Sequence, residues 1–258
     1  MKLVVSDLDG TLLNGQSMVT EYTKNAVRKL IDKGVKFAIA TGRGEASAMR
    51  FRNDLGLSIY LICNNGANIY DDKENMIFER VIERETAHKI IEVLRKRKVT
   101  YNCFYHEDFY KDEYDTEDYS RRVGFREHTL KDITECPPLH KIIIEEEPDV
   151  ILSVNEELRE KFSNDAEITI SDPRCIDIVP KGCSKGNALA LIAQEMDITM
   201  ERIMAFGDGE NDLDMLKKVG HPVVMENAQE IVKKVVKNTA PKNIDNGVAK
   251  YLEKYFEI

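Results

Sequence analysis

A chain of 258 residues, 42% hydrophobic and 32% charged, is long enough for one large domain or two moderate ones and has the composition of a soluble globular protein. Its formal net charge of −9 argues against nucleic-acid binding, which concentrates positive charge, but leaves room for a small anionic ligand held by a local field. No apolar run reaches membrane-spanning length, and the chain enters a strand pattern at once without the layout of a signal peptide.

The first element is the apolar run Lys2 to Ser6, a buried strand that ends in Asp7-Leu8-Asp9-Gly10-Thr11. Alone, D-x-D-G fits a solvated turn as well as a site. Ala26, Val27, Leu30 and Ile31 recur at helical spacing between Thr20, a predicted N-cap, and Gly34. A second strand, 35–40, ends at Thr41-Gly42-Arg43; a helix runs to about Leu55; a third strand, 59–63, ends at Asn64-Asn65-Gly66-Ala67. The order β-α-β-α-β, with polar or small residues at each strand end, predicts an α/β fold: a Rossmann-like, doubly wound parallel sheet whose loops gather on one edge.

The pattern then changes. A hairpin is predicted at 68–70 and 76–78, followed by a helix at 84–98 and strands at 99–105, 109–111 and 140–144. A helix at 149–162 and an antiparallel pair, 166–170 with 175–179, complete an inserted mixed α/β domain, placed at 82–183. The core is then discontinuous, 1–81 and 184–258. Between His106 and Arg122 acidic residues and tyrosines alternate, which reads as a solvated surface, and His106-Glu107-Asp108 reads as loop rather than ligand cluster. The core resumes with a helix from Lys185, N-capped by Ser184, and a fourth strand, 203–206, ending in Gly207-Asp208-Gly209-Glu210-Asn211-Asp212. A helix to Lys218, a strand at 222–225, a helix at 228–237 and one after Gly247 finish the chain. The five cysteines are scattered, odd in number and without C-x-x-C, which points to free thiols in a reducing cytoplasm.

Asp7, Asp9, Thr41, Asp208 and Asp212 thus lie at or just beyond the ends of parallel strands, and Lys185 begins a helix. Several carboxylates converging in a cleft need a cation, and oxygen donors without Cys or His favour Mg2+. A hydroxyl, a lysine and glycine-flanked backbone N–H groups suit phosphate. Thr41 or Lys185 singly would pass for a strand-end residue or a solvated lysine; it is their joint occurrence that points to a site.

The four pieces D-x-D-G-T (7–11), T-G-R (41–43), the Lys185 of S-K-G and G-D-G-x-N-D (207–212) resemble the haloacid dehalogenase superfamily, and more closely its Cof-type phosphatases, which carry a large α/β cap between the second and third motifs. Asn64 to Ala67 and Asn246 to Ala249 add to that likeness, which covers the core and is weak within the cap. The resemblance implies Mg2+-dependent hydrolysis of small phosphorylated metabolites, most simply sugar phosphates, with no nucleic-acid or membrane partner. It implies Asp7 as nucleophile and Asp9 as general acid and then base, with a raised pKa expected from burial and neighbouring carboxylates. It implies metal ligation by the carboxylates of Asp7 and Asp208 and the backbone carbonyl of Asp9. Thr41, Gly42 and Lys185 would hold the phosphoryl oxygens, Asn211 would add a contact, and Asp212 would orient Lys185 or a metal-bound water. Two alternatives stand beside it, phosphomannomutase-like phosphoryl transfer and a catalytically idle phosphometabolite-binding protein. Arg174, Arg121, Arg122 and the tyrosines near Tyr110 are candidates for substrate selection in the insert. Nothing in the sequence fixes the oligomeric state.

Overall fold

A computed structural model describes residues 1–115 and 125–258, and these divide into two compact units. Unit 1 comprises Met1–Gly42, Ala48–Phe78 and Ser184–Ile258; unit 2 comprises Arg43–Ser47 and Glu79–Cys183.

Unit 1 is built on an eight-stranded sheet. Its strands are β1 (Leu3–Ser6), β2 (Lys36–Ala40), β3 (Tyr60–Cys63), β4 (Asn68–Tyr70), β5 (Met76–Glu79), β12 (Ile203–Gly207), β13 (His221–Met225) and β14 (Asn238–Ala240). They lie in the order β14-β13-β12-β1-β2-β3-β4-β5. The pairs from β14 through to β3 are parallel, and β4 turns antiparallel to β3. Leu3, Val4, Val5 and Ser6 are all buried, as a central parallel strand covered on both faces requires. The chain moves from β1 outward through β2 and β3, then returns on the other side of β1 as β12. The order of winding therefore reverses between β1 and β12, the position at which open α/β sheets form a crevice beyond their strand ends. Helix α1 (Glu21–Asp32) is capped by the Thr20 hydroxyl, which accepts from the Thr23 N–H. Helix α5 (Lys185–Glu195) is capped in the same way by Ser184, which accepts from Asn187.

Unit 2 contains a six-stranded sheet in the order β10-β11-β9-β6-β7-β8. The strands are β6 (Tyr101–Tyr105), β7 (Asp108–Asp112), β8 (Arg126–Leu130), β9 (Lys141–Glu145), β10 (Ala166–Asp172) and β11 (Cys175–Pro180). Helices α3 (Arg84–Arg97) and α4 (Pro148–Phe162) pack their apolar stripes, Ile90, Ile91 and Leu94 with Ile151, Val154 and Leu158, against Tyr101, Cys103, Ile142 and Ile176 of that sheet.

Three elements differ from expectation. Strand β8 is absent from the sequence reading because Arg126 to Thr129 are exposed and show no alternation; it is a polar edge strand paired parallel to β7. Strand β14, three residues at one edge of the unit 1 sheet, is likewise hidden in the sequence because Asn238 and Thr239 are exposed. The helix expected over 228–237 is only α7, Glu230–Lys233. The Gln229 N–H donates to the Asp208 carbonyl at 2.9 Å, which delays its start, and Val236 turns into the core, which ends it.

Candidate active site

The register of unit 1 dictates the site. Ser6 pairs with Phe206 on one side and Ile39 on the other, so β1, β12 and β2 release Asp7, Asp208 and Thr41 at the same edge. The Asp7 N–H donates to the Phe206 carbonyl at 3.0 Å, which ties the ends of the two strands together before they diverge. Asp7 is 5% exposed. The chain then makes one wide turn, 8–12, closed by the Leu13 N–H on the Leu8 carbonyl at 2.9 Å, with Gly10 at φ 76°.

Gly10 is there for space as well as conformation. A Cβ on it would lie 2.2 Å from Asp208 Oδ2, so the turn can close over that carboxylate only without a side chain. Thr11 Oγ1 donates to Asp208 Oδ1 at 2.6 Å and fixes the carboxylate from the other side. Gly10→Ala should therefore cost about 1–3 kcal/mol in denaturant unfolding, through both φ and the clash. An unchanged midpoint would show that the turn is looser than this.

Lys185 carries the opposite charge into the same place. Its side chain is 1% exposed, and Nζ lies 2.7 Å from Asp7 Oδ1 and 2.6 Å from Asp212 Oδ1. Burial works against the ammonium, but Asp212 and Asp7 outweigh it and hold Lys185 charged. Asp212 is fully engaged: its other oxygen, Oδ2, accepts from the N–H groups of Asp208 at 2.9 Å and Gly209 at 3.0 Å. A Cβ on Gly207 would lie 2.6 Å from Asp212, so that glycine is the space in which the carboxylate sits.

Asp7, Asp208 and Asp212 bring carboxylate oxygens within 4.8 Å of one another. Three carboxylates face one ammonium, and the electrostatics record the imbalance. Burial pushes the Asp7 carboxyl well above its usual range, Lys185 pulls against it, and Asp212 and Asp208 add to the rise. Burial likewise pushes Asp208 up to about 6, against the Thr11 hydrogen bond and with help from Asp212. Buried, oxygen-only and over-negative, the donor set fits a hard divalent cation. With both Asp212 oxygens taken, the carboxylates of Asp7 and Asp208 are the ones placed to hold it.

The loops after β2, β3 and β12 meet at Asn65. Its N–H donates to the Thr41 carbonyl at 3.1 Å, its Oδ1 accepts from Asn211 Nδ2 at 3.1 Å, and a Cβ on Gly42 would stand 3.0 Å from that same oxygen. Thr41 is buried, and Gly42 and Asn211 are half-buried. Gly66, at φ 101°, allows this turn to press on the start of α5, where a Cβ would come within 2.5 Å of the Ser184 carbonyl. Asn65 and Thr11 carry no role in the sequence reading. The left-handed φ of 52° at Asn65, a conformation that asparagine tolerates, is the physical signal behind the Asn-Asn-Gly run.

One expectation fails. Asp9 was expected to be buried among carboxylates, but it is exposed, because the turn sends Leu8, Thr11 and Leu12 inward and Asp9 outward. In unit 2, Arg174 is exposed and pairs with Glu147 at 2.6 Å, and Tyr110 stacks on His128 with centroids 4.9 Å apart. Arg121 and Arg122 lie outside the described residues. His106 is not bound into a cluster with Glu107 and Asp108. Its ring faces Glu45 at 3.3 Å and Glu79 at 3.2 Å, beside His140. His140 Nδ1 accepts the His106 N–H at 3.2 Å, so Nε2 holds the proton and donates to Glu79 at 2.8 Å. That is a hydrogen-bonded relay with no imidazole nitrogen of His140 left for a metal.

The family model of haloacid dehalogenase-like hydrolases matches residues 4–252. A 5-amino-6-(5-phospho-D-ribitylamino)uracil phosphatase of Bacillus subtilis is 31% identical over 250 residues, 97% of this chain and 94% of the relative. An HMP-PP phosphatase of Yersinia pseudotuberculosis is 29% identical over 230 residues, 88% of this chain and 84% of the relative. Among solved structures, a haloacid dehalogenase-like hydrolase of Bacteroides thetaiotaomicron superposes with a TM-score of 0.88 at 26% identity, with 99% of each chain covered.

Proposed function

The chain belongs to the haloacid dehalogenase-like hydrolases, and from that premise we propose that it is an Mg2+-dependent phosphatase of small phosphorylated metabolites working through a phospho-Asp7 intermediate. The observation that carries the reading is the buried Asp7–Lys185–Asp212 chain beside Asp208, an arrangement too negative to be a structural ion pair. The named relatives are phosphatases, which supports the same class. A phosphorylated sugar or sugar-like metabolite is the substrate we propose. The five free cysteines support the cytoplasm as its compartment, and no helix among the described residues is long and apolar enough to cross a membrane.

In this mechanism an Asp7 carboxylate oxygen attacks phosphorus, the bond to the leaving oxygen breaks, and Asp9 delivers the proton that oxygen needs. Asp9 then takes a proton from water as that water attacks phosphorus, releasing inorganic phosphate and restoring Asp7. The exposure of Asp9 suits a group that must meet first a leaving group and then water. Lys185, held by Asp212, and the Thr41 hydroxyl bind phosphoryl oxygens; Asn65 keeps Thr41, Gly42 and Asn211 in register. Mg2+, held by the carboxylates of Asp7 and Asp208 and the carbonyl of Asp9, would supply a Lewis acid against the charge of the phosphoryl group. Phosphate release from a generic aryl phosphate should require Mg2+; absence of metal-dependent release, or full activity with chelator, would overturn the proposal.

The raised carboxylates give a second expectation. The folded-state value of Asp208, about 6, exceeds the ordinary 3.8, so the metal-free fold holds a proton that the unfolded chain releases. That contribution to stability is present below 3.8 and is lost as pH rises through 6, and Asp7 acts in the same direction. A bound cation replaces the proton. Saturating Mg2+ should therefore raise Tm more at about pH 7.5 than at about pH 5. Equal shifts at both would place the cation elsewhere.

A further inference from the structure

The last helix of unit 1, α8 (Gly247–Phe256), repeats a Lys-Tyr pair one turn apart, Lys250-Tyr251 and Lys254-Tyr255. Residues four apart share a side of a helix, so the repeat sets a row of lysines beside a row of tyrosines. Val248, Ala249 and Leu252 supply the buried face of the helix. The two pairs line a cavity of about 610 Å³, together with Thr239 and Pro241 from the edge of the unit 1 sheet. Small-molecule sites are of this size, about 300–1,000 Å³.

Both rings are held in place. Tyr251 packs edge-on against the buried Phe206 ring, with centroids 5.4 Å apart, and its hydroxyl is hydrogen-bonded to His221 Nε2 at 2.8 Å. Tyr255 lies at 13° to the Tyr251 ring and is flanked by His221 at 4.8 Å and Phe256 at 4.9 Å, yet it is 42% exposed. A fixed aromatic face open to solvent is a stacking platform already organised. His221 begins β13, whereas Asp7, Thr41 and Asp208 follow the ends of strands parallel to it. The rings therefore lie toward the other end of the sheet from those residues. The charge is local as well. Residues 233–254 hold six lysines and two acids, against −9 for the whole chain. Glu253, the acid between the two lysines, accepts from the Tyr22 hydroxyl of α1. Lys250 and Lys254 are exposed, and neither ammonium has an ion-pair or hydrogen-bond partner among the described residues. Like charges one turn apart repel, so the pair gains from an anion placed between them.

We propose that this cavity is a second ligand site, separate from the carboxylate cluster, and that its ligand is a nucleoside diphosphate. The planar base stacks on the open face of Tyr255. The two phosphoryl groups meet the two ammonium groups of Lys250 and Lys254, whose stems start about 5–6 Å apart. A plain sugar phosphate uses neither the ring face nor the second lysine. A nucleic acid is disfavoured by the net charge of −9, which repels a long polyanion and leaves a small one to the local field. Binding here is independent of the chemistry at Asp7.

Calorimetric titration in chelator tests this with ADP, pyrophosphate and adenosine on the full chain, on Lys250→Gln/Lys254→Gln and on Tyr255→Leu. Chelator keeps Mg2+ from bridging the nucleotide to Asp7 and Asp208, whose uncompensated carboxylates then repel it. The parent should bind ADP at least about tenfold more tightly than pyrophosphate or adenosine, since each of these offers only the charge or only the ring. Its affinity for ADP should fall as KCl is raised. The double variant should bind ADP at least about tenfold more weakly than the parent does. It should also melt within about 2 °C of the parent, because both lysines are exposed. Tyr255→Leu should bring ADP down to the affinity of pyrophosphate. No heat with ADP from the parent, equal affinity of the parent for ADP and pyrophosphate, or ADP binding unchanged in the double variant would overturn the assignment. So would a preference for ADP over pyrophosphate that survives in Tyr255→Leu.

Discussion

Asp7→Asn should reduce phosphate release by at least about 10⁴-fold, the scale of loss when a nucleophile is removed from a catalytic unit whose binding groups remain. The fold should survive. The substitution is isosteric, Lys185 keeps Asp212 at 2.6 Å, and one of three crowded carboxylates becomes neutral. Because burial and the neighbouring carboxylates already raise the Asp7 carboxyl, its charge is a liability to the metal-free protein at neutral pH. The variant should therefore melt no lower than the parent without metal, and gain less from Mg2+. Activity within tenfold of the parent would remove Asp7 from the chemistry. A large loss of metal-free Tm would mean that its role is structural.

Lys185→Met should do the reverse. It removes the ammonium that lies between Asp7 and Asp212 and leaves buried carboxylates without their counter-charge. Breaking one side of a buried charge cluster costs about 3–5 kcal/mol. For a domain of this size that lowers Tm by on the order of 10 °C. The deficit should shrink at low pH, where Asp7 and Asp208 protonate, and shrink again with Mg2+, which supplies positive charge to the same carboxylates. Catalysis should fall by at least about 10²-fold even at a temperature where the variant is folded, since a charge aimed at the phosphoryl oxygens is lost. A variant as stable as the parent at neutral pH without metal would contradict the electrostatic account of the site.

Much of this site is legible in the sequence because parallel sheets turn strand order into geometry. Asp7, Thr41 and Asp208 each follow an apolar run of four or five residues, and register alone then brings them to one edge. Lys185 is legible as the first residue of a capped helix, but its complete burial is not; that follows from Gly66 and Gly186 letting neighbouring backbone and Asp214 come close to the start of α5. The exposure of Asp9 is not legible, because adjacency in sequence says nothing of which way a left-handed glycine turns the chain. Gly10 sends Asp9 out and lets Asp208 in. Thr11 and Asn65 act through hydrogen bonds to Asp208 and Asn211, partners 197 and 146 residues away, a separation that no local pattern encodes. Strand β8 was invisible for a different reason: an edge strand with exposed Arg, Glu, His and Thr protects itself with polarity and so hides its alternation.

The central claim is that phosphate passes through a covalent bond to Asp7. Asp9→Asn retains the nucleophile and impairs the activation of water, so the phospho-enzyme should accumulate. Incubating Asp9→Asn and Asp7→Asn proteins with a substrate labelled in its phosphoryl group, quenching in acid and mapping the label by mass spectrometry tests this directly. Label on the peptide that contains residue 7 in Asp9→Asn, and none in Asp7→Asn, is the predicted result. Label trapped on the Asp7→Asn protein would contradict it.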